Sequence, residues 1–232
     1  MIIHRLLLHY RKHGDDELFY VMQARDAIRW IMEKGVTVQT GTCALDLGCG
    51  HGILGGELAK QGCQVMFADE SNELQPDVQG EFRAFNIDRD DLATLGQFDL
   101  VVCSNVFEHL AKPEQFLETV HQILTPSGIL FLSWTNWLSP WGGHEFSPYH
   151  YLGASRGHLL WDRITGRKRK HTPFQNLFPT YIGRTLRMIR RNPNLRLLRM
   201  APRYYTEFAV LARIPILREF AMWNFAALIG RN

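Results

Sequence analysis

Apolar positions along the chain switch between two periods. Over residues 18–32 they recur at helical spacing, with Phe19, Met22, Ala27, Ile28 and Ile31 on one side, which predicts an amphipathic helix ahead of the first strand. Short continuous apolar runs then alternate with helical segments. "TCALDLG" reads as a strand ending on glycine, and residues 53–61 read as a helix stopped by Gly62. "CQVMFADES" is a second strand that ends on an acid, "EFRAFNID" a third and "FDLVVCSNV" a fourth. "PEQFLETVHQIL", residues 113–124, starts on proline and repeats its apolar residues at helical spacing, so it reads as a helix. "PSGILFLSW" is a fifth strand after a turn at Ser127-Gly128, and "NLRLLRM" and "MWNFAALIG" supply two more.

Strands in alternation with helices imply a parallel sheet covered on both faces. Right-handed crossovers make it doubly wound. The expected fold is therefore α/β, a seven-stranded, mostly parallel, Rossmann-like sheet. The pattern divides the chain into an N-terminal helical cap (1–40), a core (41–135), an insertion (136–178) and a C-terminal part of the sheet (179–232). The insertion has no clean period and is too long for an ordinary connection. It is rich in Trp, Tyr, His, Gly and Pro and reads as a lid after the fifth strand.

Composition changes this picture little: 232 residues at 46% hydrophobic and 21% charged describe a globular chain. Residues 220–229, the longest apolar candidate, cover about half of a bilayer span. In "MIIHRLLLHYRKH" the apolar run is broken by His4 and Arg5 and no small-residue cleavage site follows, so a cytoplasmic rather than an exported protein is expected. Four cysteines without a C-x-x-C pair read as buried reduced thiols.

Charge changes it more. Half of the 26 lysines and arginines lie between Arg156 and Arg203 against a single acid, Asp162, while the remainder of the chain is net acidic. "GRKRKH" is a compact cluster, and residues 181–191 set Ile182, Leu186 and Ile189 apart from Arg184, Arg187, Arg190 and Arg191. Basic clusters beside aromatics and an amphipathic helix point to peripheral contact with an anionic membrane. Nucleic acid is not expected, because no recognised RNA module accompanies the charge.

The chemistry begins at "CALDLGCGHGILGG", residues 43–56. Gly50, Gly52 and Gly55 fit the G-x-G-x-x-G of dinucleotide binders, whereas Asp46, Gly48, Gly50 and Gly52 fit the D-x-G-x-G-x-G of proteins that hold S-adenosylmethionine (SAM). Glycines that let backbone approach a ligand serve both, and so does Asp69 at the end of the second strand as a ribose acceptor. Asp46 separates them. A pyrophosphate wants amide donors and a helix N-terminus, and an acid there repels it. SAM brings an ammonium and a sulfonium, which a carboxylate suits.

With these residues the sequence resembles the class I SAM-dependent methyltransferases over residues 24–134. The motifs are "ALDLGCGHG", "FADES", "FNIDRDDL" and "FDLVVCSNVFEHL", followed by "PEQFLETVHQILTPSGILFLS". The resemblance implies SAM as cofactor and S-adenosylhomocysteine (SAH) as product. It implies that Asp46, Gly48 and Gly50 line the methionine part, that Asp69 binds the ribose, and that Glu70 and Ser71 flank the adenine. Asp88 would accept from the adenine amino group. Ile87 stands beside it where the family usually has glycine, and Asn86 is an alternative. Ser104 and Asn105 would lie beside the sulfonium, Asp99 would be structural, and Tyr20 and Arg25 are candidates to close over the cofactor.

Methyl transfer to a hydroxyl needs an aligned acceptor and a group that takes its proton. The candidates are His109 in "EHL", His144 and Glu145 in "WGGHEFSPYHYLG", and His150, with the two glycines before His144 read as a flexible loop. Trp134, Trp137, Trp141, Phe146, Tyr149, Tyr151 and Trp161 suit either a lipid-like or sugar acceptor or a small satellite core. No C-x-x-C pair or carboxylate cluster is present, so transfer without a metal is expected. The reading is O-methylation of a small, glycosylated or lipid-linked hydroxylated substrate. Its rivals are C-methylation of a quinone-like lipid, SAM binding without chemistry, and a nicotinamide-dependent dehydrogenase.

Overall fold

The computed structural model describes residues 2–232 and begins with two helices, α1 (Ile3–His13) and α2 (Glu17–Glu33). Asp16 starts α2 by accepting a hydrogen bond from the Phe19 amide at 3.0 Å. Ala24, Ala27, Ile28 and Ile31 then form the buried face that the apolar spacing predicts. Next come β1 (Cys43–Leu47), α3 (Ile53–Lys60), β2 (Gln64–Asp69), β3 (Glu81–Ala84), β4 (Phe98–Ser104), α4 (Pro113–Thr119) and β5 (Leu124–Thr135). The second half adds α5 (Ala154–Thr165), α6 (Ile182–Arg191), β6 (Leu195–Pro202), α7 (Leu217–Ala221) and β7 (Asn224–Arg231).

The strands form one sheet in the order β3-β2-β1-β4-β5-β7-β6. β7 pairs antiparallel with both β5 and β6, while β1 to β5 pair in parallel. Alternate residues of a strand feed opposite layers. In β4, Val101 and Cys103 join the cluster that holds Phe107, Phe116, Leu186 and Ile189, and Leu100 and Val102 join the cluster under α2 and α3. Strand order reverses between β1 and β4. Ligands bind beyond the carboxyl ends of strands at such a point.

The structure departs from the sequence reading in four places. Within the expected N-terminal helical cap, residues 3–13 form a separate helix ahead of the one that the apolar spacing marks. The helix from Pro113 tightens to a 3-10 turn at Val120–Ile123, and Leu124 already pairs in β5. Val120, Ile123 and Leu124 are fully buried, so their apolarity suits either winding and marks no boundary. The apolar stripe of α6 faces inward: Ile182, Leu186 and Ile189 are fully buried in the main core, which removes it as a membrane-inserting surface. The insertion is not featureless, since 3-10 turns at His144–Phe146 and Tyr149–Leu152 lead into α5.

Trp137, Phe146, Trp161 and Leu177 pack there as a separate small core, and Trp134 belongs to the main one. Trp141 and Tyr151 stay exposed. The four cysteines are unpaired, and burial pushes the Cys49 thiol up to about 12. Among the described residues no helix is long and apolar enough to cross a membrane.

Candidate active site: a carboxylate-lined cleft and a histidine wall

The turn after β1 is shaped by close approach. Gly48 has φ +74°, and a Cβ there would lie 2.4 Å from Val106 Cγ2. The Gly50 amide donates to Asp69 Oδ2 at 2.8 Å, and the Glu70 amide donates to Asp69 Oδ1 at 2.7 Å. The glycine loop and the end of β2 are thereby tied together. Asp46 is 3% exposed and accepts from the Gly55 amide at 2.7 Å. Burial pushes its carboxyl up to about 7; the Gly55 bond opposes this, and the negative charge of Asp69 adds to it.

Two adjoining hollows open over this loop. One, of about 280 Å³, is bordered by Asp69, Glu70, Phe85, Ile87, Asp88 and His109. The other, of about 300 Å³, is bordered by Tyr20, Gln23, Asp46, Ser104 and Arg203. They share Gly48, Gly50 and Asn105, which makes them one elongated cleft. A Cβ at Gly50 would meet no protein atom within 4 Å, so the backbone at the junction faces open space. A cleft with carboxylates at both ends and glycine backbone between fits a nucleoside joined to a cationic amino acid. It does not suit a pyrophosphate.

Nine of the ten sequence-predicted cofactor residues border this cleft: Asp46, Gly48, Gly50, Asp69, Glu70, Ile87, Asp88, Ser104 and Asn105. Ser71 does not line it, and its hydroxyl donates to Glu73 Oε1 at 3.3 Å. Asp88 also has a second task. Its two carboxylate oxygens accept from the amides of Ala111 and Lys112 at 2.9 and 2.8 Å, holding the segment after β4. Asp99 is structural, accepting from the Cys43 amide and the Thr125 hydroxyl.

Tyr20 lines the cleft, but Arg25 does not; it is paired with Glu57 at 2.7 Å. Sequence reasoning missed Arg203. This side chain is buried, lies against the rings of Phe131 and Tyr204, and donates to Asn105 Oδ1 at 3.2 Å and Ser133 Oγ at 3.0 Å. In the sequence it is one of many arginines in a basic stretch, and nothing local distinguishes it.

Beyond Asn105, Tyr20 and Gln23 the cleft meets a much larger cavity of about 940 Å³. Ile3, Leu6, Leu7, Phe19, Trp141, Tyr151 and Trp223 make most of its wall apolar. Trp141 stacks on Trp223 with ring centres 5.3 Å apart. Its polar lining includes Asp15, Thr135, His144, Glu145, Lys168, Lys170 and His171.

The glycines before His144 are packed rather than loose. A Cβ at Gly142 would lie 1.9 Å from the Trp137 carbonyl oxygen, and one at Gly143 would lie 2.6 Å from His150 Cβ. His144 itself is held at φ +49°. Its Nε2 is buried without a hydrogen-bond partner. Burial, with further contributions from His171 and His109, pushes the ring down to about 3, so it is neutral at physiological pH.

Glu145 is fully engaged. It accepts from the Lys170 amide at 2.5 Å, the His171 amide at 2.7 Å and His171 Nδ1 at 2.6 Å. Burial raises its carboxyl, but the His171 bonds outweigh that and hold it below the usual range. His109 Nδ1 donates to the Asn176 carbonyl oxygen at 2.6 Å. His150 is fully buried and bonds the Ser139 carbonyl oxygen at 3.0 Å, which is a packing role. The His144 and His171 rings are 4.5 Å apart, with His109 at 5.3 and 5.2 Å from them. His171 was not among the sequence candidates, although it closes this cluster.

Sheet order, glycine turn and paired acids together define a nucleotide-type cleft of the class I methyltransferase kind. Residues 17–179 match the model of a methyltransferase-domain family. The chain belongs to that class I SAM-dependent methyltransferase family. It is 30% identical to an uncharacterised methyltransferase of Mycolicibacterium gilvum over 240 aligned positions, covering 97% of this chain and 92% of the relative. It is 28% identical to one of Mycobacteroides abscessus, covering 92% and 87%.

Among solved structures the fold is similar to the plantazolicin methyltransferase BpumL in complex with SAH, with TM-score 0.58, 13% identity and 99% and 90% of the two chains covered. It is also similar to magnesium protoporphyrin IX methyltransferase from Synechocystis with bound SAH, with TM-score 0.57, 14% identity and 92% and 84% covered.

Proposed function

We propose that this methyltransferase transfers the methyl group of SAM to a hydroxyl oxygen on a large, mostly apolar acceptor. One observation carries the proposal: the carboxylate-lined cleft opens at Asn105 into the 940 Å³ cavity, with His109 on the cleft side and His144 and His171 on the cavity side. When bound, SAM supplies a methyl group on cationic sulfur; a C–O bond forms as the C–S bond breaks, its electron pair going to sulfur and the hydroxyl proton to a base.

The chain's own residues divide the remaining work. Asp69 and Glu70 serve the nucleoside end of the cleft, and Asp46 the cationic end. Arg203, buried beside Asn105, offers a guanidinium to a carboxylate. The apolar wall of the cavity excludes water and aligns the acceptor. The acceptor's proton leaves toward the histidine wall, where His144 Nε2 is the unpartnered ring nitrogen. Glu145 acts through His171, whose Nδ1 it holds, and is a positioning residue rather than the base.

A lipid-linked acceptor is supported by what surrounds the cavity. Leu7 and Tyr10 of α1 line the cavity and are exposed. Lys168 and Lys170 line the same opening. These groups replace α6 as the surface that would meet an anionic membrane.

The test is calorimetry followed by a transfer assay. SAH should bind, and Asp69→Ala should cost about 1.5–3 kcal/mol through lost hydrogen bonds to a charged group. NAD binding tighter than SAH would overturn the cofactor reading. Radiolabelled methyl from SAM should appear in a lipid extract on oxygen. Label appearing on carbon would favour the quinone-like reading.

A further inference from the structure

We propose that His109, His144 and His171 bind one divalent transition-metal ion of the zinc class between the cofactor cleft and the large cavity. One ring nitrogen from each lies within 4.8 Å of the others. A tetrahedral zinc site has Zn–N near 2.0–2.1 Å, which puts its nitrogens about 3.4 Å apart. Ring rotations of roughly an ångström would bring these three to that spacing.

The hydrogen bonds of the rings decide which nitrogens remain available. The Asn176 carbonyl can only accept, so His109 Nδ1 carries its hydrogen and Nε2 keeps its lone pair. Glu145 does the same for His171, accepting from Nδ1 at 2.6 Å. Metal-ligating histidines recur with this outer arrangement, Nδ1–H on a carbonyl or carboxylate and Nε2 on the metal. The third ring, His144, contributes a buried Nε2 with no partner. The Nε2 atoms of His109 and His171 and the unpartnered Nε2 of His144 are therefore the nitrogens left for a cation. The Gly142-Gly143 packing and the positive φ of His144 hold the third ring in place.

Three imidazoles suit zinc, iron, nickel or copper rather than magnesium or calcium. Three protein ligands with a cavity beside them leave a position open, as in catalytic rather than structural sites. His144 and His171 border the large cavity and His109 borders the cofactor cleft. The open position would therefore take the acceptor oxygen and lower the pKa of its hydroxyl. In that role, which rests on the methyl-transfer reading above, His144 is a ligand rather than the base. Metal binding itself does not depend on that reading.

The test uses tag-free protein stripped with a chelator and titrated with Zn²⁺ alone and with Co²⁺ alone. One ion per chain should bind, and the cobalt form should show visible absorption and an X-ray absorption spectrum with three imidazole ligands. His171→Gln should weaken zinc by about 100-fold or more while SAH, whose cleft His171 does not border, still binds and reports the fold. Glu145→Gln should weaken it roughly 10–100-fold through the His171 orientation.

Absence of stoichiometric binding, or His171→Gln retaining full affinity, would overturn the proposal. If the variants do not fold, the wild-type cobalt spectrum decides alone, and a spectrum without imidazole ligands rejects the site. Metal binding without methyl transfer would leave this inference standing and remove the function. Methyl transfer by a protein that binds no metal would do the reverse.

Discussion

The two halves of the site differ in kind. The cofactor cleft is narrow, lined by carboxylates and backbone, and built at the ends of β1, β2 and β4 and the turn after β3. The acceptor cavity is about three times larger than either hollow of the cleft, mostly apolar, and walled by α1, α2, the residue-141–151 turns and the residue-168–171 loop. The first recognises a polar, charged ligand through fixed groups. The second offers area and a few imidazoles. A cofactor that is always the same rewards rigid polar contacts, whereas an acceptor with an apolar body is held by exclusion of water. Among the described residues, Tyr20, Gln23 and Asn105 belong to both the methionine-side hollow and the cavity, and the proposed transfer would take place at that junction.

The strongest way to break this division is on the cavity side. His144→Ala should lower turnover roughly 10²–10⁴-fold, the usual range for losing a group that handles the acceptor proton. SAH affinity by calorimetry should not change, because His144 borders only the cavity. A comparable loss of SAH binding would mean that the halves are not separable.

Asp46 tests the cofactor half by pH. Its carboxyl is raised to about 7 in the fold from the ordinary 3.8, burial being the main cause. Between these values the folded chain binds more protons than the unfolded one, so stability falls as pH rises from about 4 to 7. The contribution at stake is up to about 4 kcal/mol. Urea unfolding at pH 5 and 7.5 should show the loss, and Asp46→Asn should flatten that part of the profile. SAH should flatten it too, because its ammonium favours the ionised carboxylate. An unchanged slope in Asp46→Asn would assign the pH dependence elsewhere.

Gly142→Ala tests the acceptor half by packing. Its Cβ would land 1.9 Å from the Trp137 carbonyl oxygen, so backbone must move. Overpacking of this sort costs about 1–3 kcal/mol. The unfolding midpoint should drop while SAH affinity persists. Unchanged stability would show that the turn yields, as the flexible-loop reading expects.

How much of each half was legible follows from the same geometry. Asp46, Asp69 and Asn105 each stand at or just after the end of a strand, and strand ends in a doubly wound sheet converge. Reading the strands was enough to bring these residues together. The histidine wall has no such rule. His109 follows β4, His144 sits in a 3-10 turn and His171 in a basic loop, and Glu145 draws the last two together through hydrogen bonds that no local spacing encodes. Short-range ligand spacing therefore does not mark it, since the three histidines stand at 109, 144 and 171. Arg203 was hidden for the opposite reason: the charge run around it read as one membrane-facing basic surface, yet its guanidinium turns inward over Phe131. The glycines of "WGGHE" misled through their ordinary meaning, since here they make room for a carbonyl and an imidazole rather than for motion.

The smallest effect concerns how the apolar half meets its acceptor. Of the "RKRK" cluster, Arg169 is committed: it pairs with Asp162 at 2.7 Å and donates to the His171 carbonyl oxygen. Replacing it would disturb the loop that carries His171, so it is a poor probe of charge. Lys168 and Lys170 are exposed and border the cavity opening, close to α1 with its exposed Leu7 and Tyr10. Each lysine near an anionic bilayer contributes about 1 kcal/mol. The double change Lys168→Ala with Lys170→Ala should therefore weaken sedimentation with phosphatidylserine-containing vesicles by roughly 30-fold, two such contributions converted at 1.4 kcal/mol per decade. Salt should weaken wild-type binding in the same direction, and neutral vesicles should bind poorly. A further change, Leu7→Ser with Leu8→Ser, separates the apolar share, which salt should not touch. Equal binding to neutral and anionic vesicles would remove the membrane from the account and leave the two lysines as contacts for an anionic group on a soluble acceptor.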